Sequence, residues 1–107
     1  MTVTGELQLG FIPLVDAAPL IVAQAKGFFA AQGLTVALSR EGSWATVRDK
    51  VAAGALDGAH MLSPMVFAAS LGIGSETKAM IAPLALNRGG AAVTLSTRLA
   101  GELSLKL

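Results

Sequence analysis

The chain has 107 residues, which suits one small domain. It is 53% hydrophobic and 14% charged, a composition that excludes an intrinsically disordered chain. The formal net charge is +1, and the basic and acidic residues are interspersed, so no basic block points to direct nucleic acid binding. The absence of cysteine excludes disulfides, thiolate metal sites and thiol catalysis.

The segments that bear on the compartment are the apolar run at 58–75 and the first eleven residues. The run "GAHMLSPMVFAASLGIGS" is uncharged, but its histidine, serine, proline and glycines make it a poor membrane-spanning helix. The start "MTVTGELQLGF" has neither a basic region nor a long apolar stretch, so it does not resemble a secretory signal. The expected location is the cytoplasm, with the periplasm as the alternative if a signal was removed.

Alternating or strongly apolar stretches predict the strands. They lie at 7–14, 34–41, 56–62, 78–86 and 90–97. Between them, three helices are predicted from capping residues and stop signals. Asp16 caps a helix that ends at Gly33, Ser43 caps one that ends at Gly54, and Ser63 caps one that ends at Gly72.

The alternation of strand and helix predicts an α/β fold, with a parallel sheet covered by helices on both faces in three layers. In such a sheet every strand-to-helix junction lies at the carboxyl edge, where ligands bind near a topological switch point. The three junctions expected to converge there are 14–16, 42–44 and 62–64. Each helix start presents free N–H groups, which favour small anions.

Motifs for covalent chemistry are missing from the sequence. There is one histidine, the "GIG" at 72–74 follows a helix and not a strand, and neither a phosphate-binding loop nor a nucleophile elbow is present. Glu41 and Asp49 could meet across a turn, but nothing else supports a catalytic carboxylate pair. We therefore expect a protein that is not an enzyme and that needs no cofactor or metal.

The candidate ligand-binding residues are Trp44, Ser43, Thr46, His60 and Asp16. Trp44, the only tryptophan, has two interpretations: packing of a helix start, or a cleft residue whose indole N–H donates to an anion. His60 is either a satisfied core histidine or a donor at the carboxyl edge. Capping alone explains Asp16, Ser43 and Ser63, although the Ser43 hydroxyl could also reach a ligand. Arg88 could neutralise an anion, but "NRGG" is more typical of a solvated turn.

Several phrases together resemble one family over residues 9–96. They are "FIPLVDAAPLIVA", "GFFAAQGLTV", "SWATVRDK", "LDGAHMLSPM" and "LNRGGAAVTLS". The sequence resembles the N-terminal part of the nitrate- and bicarbonate-binding solute receptors of ABC importers, and of their cytoplasmic nitrate- and nitrite-sensing relatives. The combination of SW, RD and AHML carries the resemblance, since the GFF…GL phrase is widespread in related receptors.

The resemblance implies one lobe, residues 1–107, of a two-lobed type II periplasmic-binding-protein fold. Trp44 matches the family's cleft tryptophan, which helps to bind the oxyanion, while the family's basic contacts come from the second lobe. The implied ligand is nitrate or nitrite, with bicarbonate or a sulfonate as the alternative. The implied partner is an ABC permease or, for a sensor, an RNA-binding antiterminator.

Two other expectations stay open beside the family resemblance. An apolar surface is expected where further parts of a receptor pack, so self-association is predicted. The competing interpretation is an α/β interaction module that binds no small molecule. An enzyme of thiamine-precursor synthesis shares the fold, but its catalytic groups are not found in the sequence.

Overall fold

A parallel three-stranded sheet forms the centre of the structure, a computed structural model that describes residues 5–89 and 94–103. The strands are β1 (Glu6–Phe11), β2 (Thr35–Arg40) and β3 (Gly58–Ala59), in the order β2-β1-β3. The chain adds β2 on one side of β1 and then crosses to add β3 on the other side. The predicted α/β fold is confirmed, and the reversal of direction places the topological switch point between β1 and β3.

Five α-helices are found in the described ranges. They are α1 (Ala18–Ala25), α2 (Phe28–Ala31), α3 (Trp44–Ala52), α4 (Ser63–Leu71) and α5 (Thr97–Glu102), and one 3-10 turn, Val15–Ala17, precedes α1. The single helix predicted up to Gly33 is divided at Gly27, which adopts a left-handed φ of 72°. Gly72 ends α4 as predicted, because its φ of 73° cannot continue a right-handed helix.

Only one of the three predicted helix caps is correct. The Ser43 hydroxyl accepts a hydrogen bond from the Thr46 N–H at 3.1 Å and caps α3. Asp16 does not cap α1, because it lies inside the 3-10 turn and turns its carboxylate toward His60. Ser63 is the first residue of α4 and not its cap, and Leu62, at the cap position, has no side-chain acceptor.

The predicted fourth strand is wrong: residues 78–86 form no strand. The N–H of Lys78 donates to the Ala69 carbonyl at 2.8 Å, and the N–H of Met80 donates to the Ser70 hydroxyl at 3.2 Å. These donors bond to the last turns of α4, so they are not available to a strand ladder. Of the predicted fifth strand, 90–93 lie outside the described residues, 94–96 are not strand, and position 97 begins α5.

The core is small and much apolar surface is exposed. The buried apolar side chains are Ala17, Val36, Val47, Leu56, Ala69 and Ala100. The radius of gyration is 17.4 Å, against about 13 Å for a compact domain of this length. Val15, Ile81 and Leu84 are 92%, 85% and 74% exposed, which confirms the predicted apolar surface; self-association stays a prediction. None of the described helices has the length and hydropathy needed to cross a bilayer.

A buried carboxylate joins the end of β2 to α3. Glu41 is 4% exposed, accepts from the Lys50 ammonium at 2.8 Å and the Ser39 hydroxyl at 2.6 Å, and donates its own N–H to the Phe11 carbonyl. The Lys50 and Ser39 hydrogen bonds hold the pKa of Glu41 below its usual value of 4.5. Glu41 therefore ties the last turn of α3, through Lys50, to the ends of β2 and β1.

The Ser43 cap gives a matched test of the starts of α3 and α4. We expect Ser43→Ala to lower the free energy of unfolding by about 1 kcal/mol, because the Thr46 N–H loses its acceptor. Ser63→Ala, the same change at the start of α4, should stay within about 0.5 kcal/mol of wild type. Urea unfolding measures both, and equal losses would contradict the capping assignment.

The Glu41 pair predicts a pH dependence of stability. Because its folded-state pKa is lowered, Glu41 contributes stability that is present above pH 4.5 and lost as the pH falls through the folded value. We expect Glu41→Gln to flatten the fall in the urea midpoint below pH 4.5. The matched control is Glu76→Gln at an exposed position. If both variants keep the wild-type pH profile, the Glu41 pair makes no such contribution.

Candidate functional site

Side chains from all three strand-to-helix junctions meet at the carboxyl edge of the sheet. Asp16 comes from the connection after β1, Trp44 from the start of α3, and His60 from the end of β3. The carboxylate Oδ1 of Asp16 lies 3.2 Å from the imidazole Nε2, and the Trp44 and His60 ring centroids lie 5.1 Å apart. These contacts confirm the predicted convergence and place it at the switch point.

The imidazole of His60 is buried and bonded at the end of the β1–β3 ladder. The side chain is 3% exposed, and its backbone N–H donates to the Gly10 carbonyl at 2.9 Å. Its Nδ1 accepts a long hydrogen bond, 3.4 Å, from the backbone N–H of Ile12. A nitrogen that accepts carries no proton, so this contact favours the tautomer with the proton on Nε2, the nitrogen that faces Asp16.

The carboxylate of Asp16 is held between two distant parts of the chain. Its Oδ1 is buried against His60 and lies 3.2 Å from Nε2, but it accepts no hydrogen bond from the described residues. Its Oδ2 accepts from the Asn87 amide at 3.4 Å, and the side chain stays 30% exposed. Asp16 therefore links three segments and still presents an acceptor toward the cleft.

The Trp44 ring packs against His60 in an edge-to-face arrangement. The angle between the two ring planes is 66°, a geometry that the aromatic quadrupole favours, and the indole is half-buried. The packing interpretation is confirmed, and the role as a cleft residue stays a prediction. Trp44 packs a helix start, and it lies at the edge where ligands bind in parallel sheets.

Ser43 and Thr46 interact with each other and not with this cluster. Their hydroxyl oxygens are 2.8 Å apart, and both residues are exposed. The structure therefore assigns their side chains to the cap of α3, and their role toward a ligand stays a prediction.

An open cavity of about 980 Å³ lies beside the cluster. Asp16, His60 and Ser63 line one side, and the extended segment 79–86 lines the other, whereas Trp44 is not part of the lining. A small oxyanion is comparable in size with a water molecule or two, at about 30 Å³ each. The cavity is far larger, so these residues form a wall and not an enclosed site.

The carboxylates Glu41 and Asp49, which could have met across a turn, do not form a pair. Glu41 bonds to Lys50 and Asp49 bonds to Arg48, so the two carboxylates engage separate cations. No group of three or more potential metal ligands occurs in residues 5–89 and 94–103. Arg88 is exposed, in agreement with the predicted turn.

Two contacts of the site were not foreseen from the sequence. Asn87, interpreted as a turn residue, lies 71 positions from Asp16 and bonds to it. The Ile12 N–H reaches an imidazole across 48 positions. Neither contact has a sequence signal, because spacing along the chain reports only local neighbours.

Comparison with known proteins gives one family and several long relatives. The NMT1-like family model matches residues 3–106. The nitrate import ATP-binding protein NrtC of Synechocystis sp. PCC 6803 is 46% identical over 97 residues, which are 89% of this chain and 14% of that protein. The bicarbonate-binding protein CmpA of Synechococcus elongatus is 41% identical over 108 residues, 94% of this chain and 24% of that protein.

A solved structure shares the fold. The crystal structure of the periplasmic nitrate-binding protein NrtA from Synechocystis PCC 6803 superposes with a TM-score of 0.61 and 44% identity, over 63% of this chain and 19% of that one. The chain thus spans between 14% and 24% of the length of these relatives. Because the family model covers nearly the whole chain, the chain belongs to the NMT1-like family.

Proposed function

We propose that the chain forms one wall of a cleft that binds a small oxyanion, nitrate or nitrite, without covalent chemistry. The observation that carries the proposal is the meeting of Trp44, His60 and Asp16 at the switch point of a parallel sheet. Ligands of open α/β sheets bind at this position. The names of the relatives support the same class of ligand, since they include a nitrate-binding and a bicarbonate-binding protein.

The physical basis of binding is a set of donors at the carboxyl edge. The Trp44 indole N–H is a donor only, which suits an oxyanion. The start of α4 lies on the cavity, with Ser63 in the lining, and has no side-chain cap. Its positive dipole end therefore stays available to an anion. The size of the cavity requires a second wall to complete the enclosure, and we propose a second lobe for that role.

The proposed biological role is that of a receptor lobe in oxyanion import, whose closure signals to an ABC permease. A cytoplasmic sensor that acts on an RNA-binding antiterminator is the other form of the proposal. The relatives support the receptor form, with the periplasm as its compartment. One is a periplasmic binding protein, and another is an ATP-binding protein that contains a matching segment.

Bicarbonate is the second candidate ligand, and Asp16 is the reason. A carboxylate repels an anion, but it accepts a hydrogen bond from an anion that carries a proton. Bicarbonate has an O–H group, whereas nitrate and nitrite have none. The partly exposed Asp16 on the cavity wall therefore favours bicarbonate over the other two.

The proposed function predicts a difference in anion binding between the wild-type chain and Trp44→Ala. We expect saturable heat in calorimetry with nitrate, nitrite or bicarbonate, and at least tenfold weaker binding in the variant, about 1.4 kcal/mol, because the indole contact is lost. Far-UV circular dichroism checks that the fold survives. An alkyl sulfonate and chloride serve as comparison anions. Absence of heat with every oxyanion would favour the interaction module without a ligand.

Asp16→Asn distinguishes the two ligand classes. The change removes the charge and keeps an acceptor for His60, so the fold should persist. We expect nitrate to bind severalfold more tightly, because repulsion is removed, and bicarbonate to bind about tenfold more weakly, because its O–H loses a charged acceptor. If both affinities move in the same direction, Asp16 does not discriminate between the ligands.

A further inference from the structure

We propose that His60 is a positioning residue, which holds the Trp44 ring at the carboxyl edge in the orientation that an oxyanion requires. The inference rests on the proposed function and adds a role for His60 and Asp16 that is indirect. His60 is buried, and its two ring nitrogens face Ile12 and Asp16. Its ring borders the cavity, but both nitrogens are directed at the protein, so its proposed role is exerted through Trp44.

Three contacts with one stretch of chain, from the end of β1 to the 3-10 turn, determine the orientation of the imidazole. The backbone of His60 is fixed by its bond to Gly10 on β1. Its Nδ1 is held by the Ile12 N–H, and its Nε2 lies against Asp16 in the 3-10 turn. A flip of the ring would put a C–H in place of each nitrogen, so the Ile12 N–H would lose its acceptor and the buried Asp16 oxygen would lose its contact with Nε2. The ring therefore has one favourable orientation.

Trp44 needs this support because few neighbouring side chains of its own segment pack against its ring. It is the first residue of α3, and its neighbours Gly42, Ser43 and Ala45 are exposed. The contact with His60, at 5.1 Å between the ring centroids, is the aromatic packing that this side chain makes within the described ranges. A fixed ring binds with a smaller loss of side-chain entropy than a mobile one, so the support raises affinity by preorganisation.

A double-mutant cycle in the full chain tests whether His60 acts through Trp44. His60→Asn keeps an acceptor near the Nδ1 position but removes the ring that contacts Trp44. Calorimetry with sodium nitrate and sodium bicarbonate should show at least fivefold weaker binding of the proposed ligand in the wild-type background. In the Trp44→Ala background the same change should alter binding less than twofold, because the group it supports is gone. Equal losses in both backgrounds, or no loss in the first, would overturn the proposal.

Nuclear magnetic resonance tests the same inference without a ligand, and without a substitution at a buried position. In the wild-type chain we expect the nitrogen shifts of His60 to report the Nε2–H tautomer. In nitrogen relaxation the Trp44 indole of the wild type should be as rigid as the backbone, and in Asp16→Ala it should be clearly more mobile. Position 16 is suitable for this change because the Asp16 side chain is 30% exposed. A proton on Nδ1, or equal indole mobility in both proteins, would refute the positioning role.

The two sets of measurements separate failure of the inference from failure of the proposed function. If no oxyanion binds, the proposed function fails, and the tautomer and the indole mobility still decide whether His60 positions Trp44. If an oxyanion binds and Trp44→Ala weakens it while His60→Asn does not, the function stands and the positioning role falls.

Discussion

The structure of the site depends on one hydrogen bond at the end of the β1–β3 ladder, in which a side chain takes the place of a backbone acceptor. Where a longer strand would offer a backbone carbonyl, the imidazole Nδ1 of His60 accepts the N–H of Ile12. This contact lies at the end of the β1–β3 ladder, favours the tautomer with the proton on Nε2, and directs Nε2 toward Asp16. The same ring supports Trp44, so the end of β3, the turn after β1 and the start of α3 are brought together by one side chain.

The sheet and the site edge could be predicted because they follow from local signals. Alternation gave β1 and β2 to within a few residues, and the strand–helix order gave the parallel sheet and its ligand edge. The cap at Ser43 followed from its position before a helical pattern. What could not be predicted depends on partners far along the chain. Asp16 looked like a cap and instead faces His60, and the apolar segment 78–86 has its first N–H groups bonded to α4.

The open form of the structure agrees with its place among longer relatives. The radius of gyration is well above that of a compact domain, the core is small, and side chains such as Ile81 are exposed, so much apolar surface is uncovered. Relatives of this family are several times longer. The wall formed by Asp16, His60 and Ser63 is therefore preorganised on the sheet, while enclosure of a ligand requires further surface.

The central claim is that an oxyanion binds at the carboxyl edge where Trp44, His60 and Asp16 meet. The most direct test is a titration of the nitrogen-labelled chain with nitrate and with bicarbonate at constant ionic strength. It follows the amide and indole chemical shifts residue by residue. The account predicts saturable shifts for the Trp44 indole and for the amides of Ser43, His60 and Ser63, with one of the two anions and not with chloride. Shifts that do not saturate, or that lie on other faces of the sheet, would contradict it.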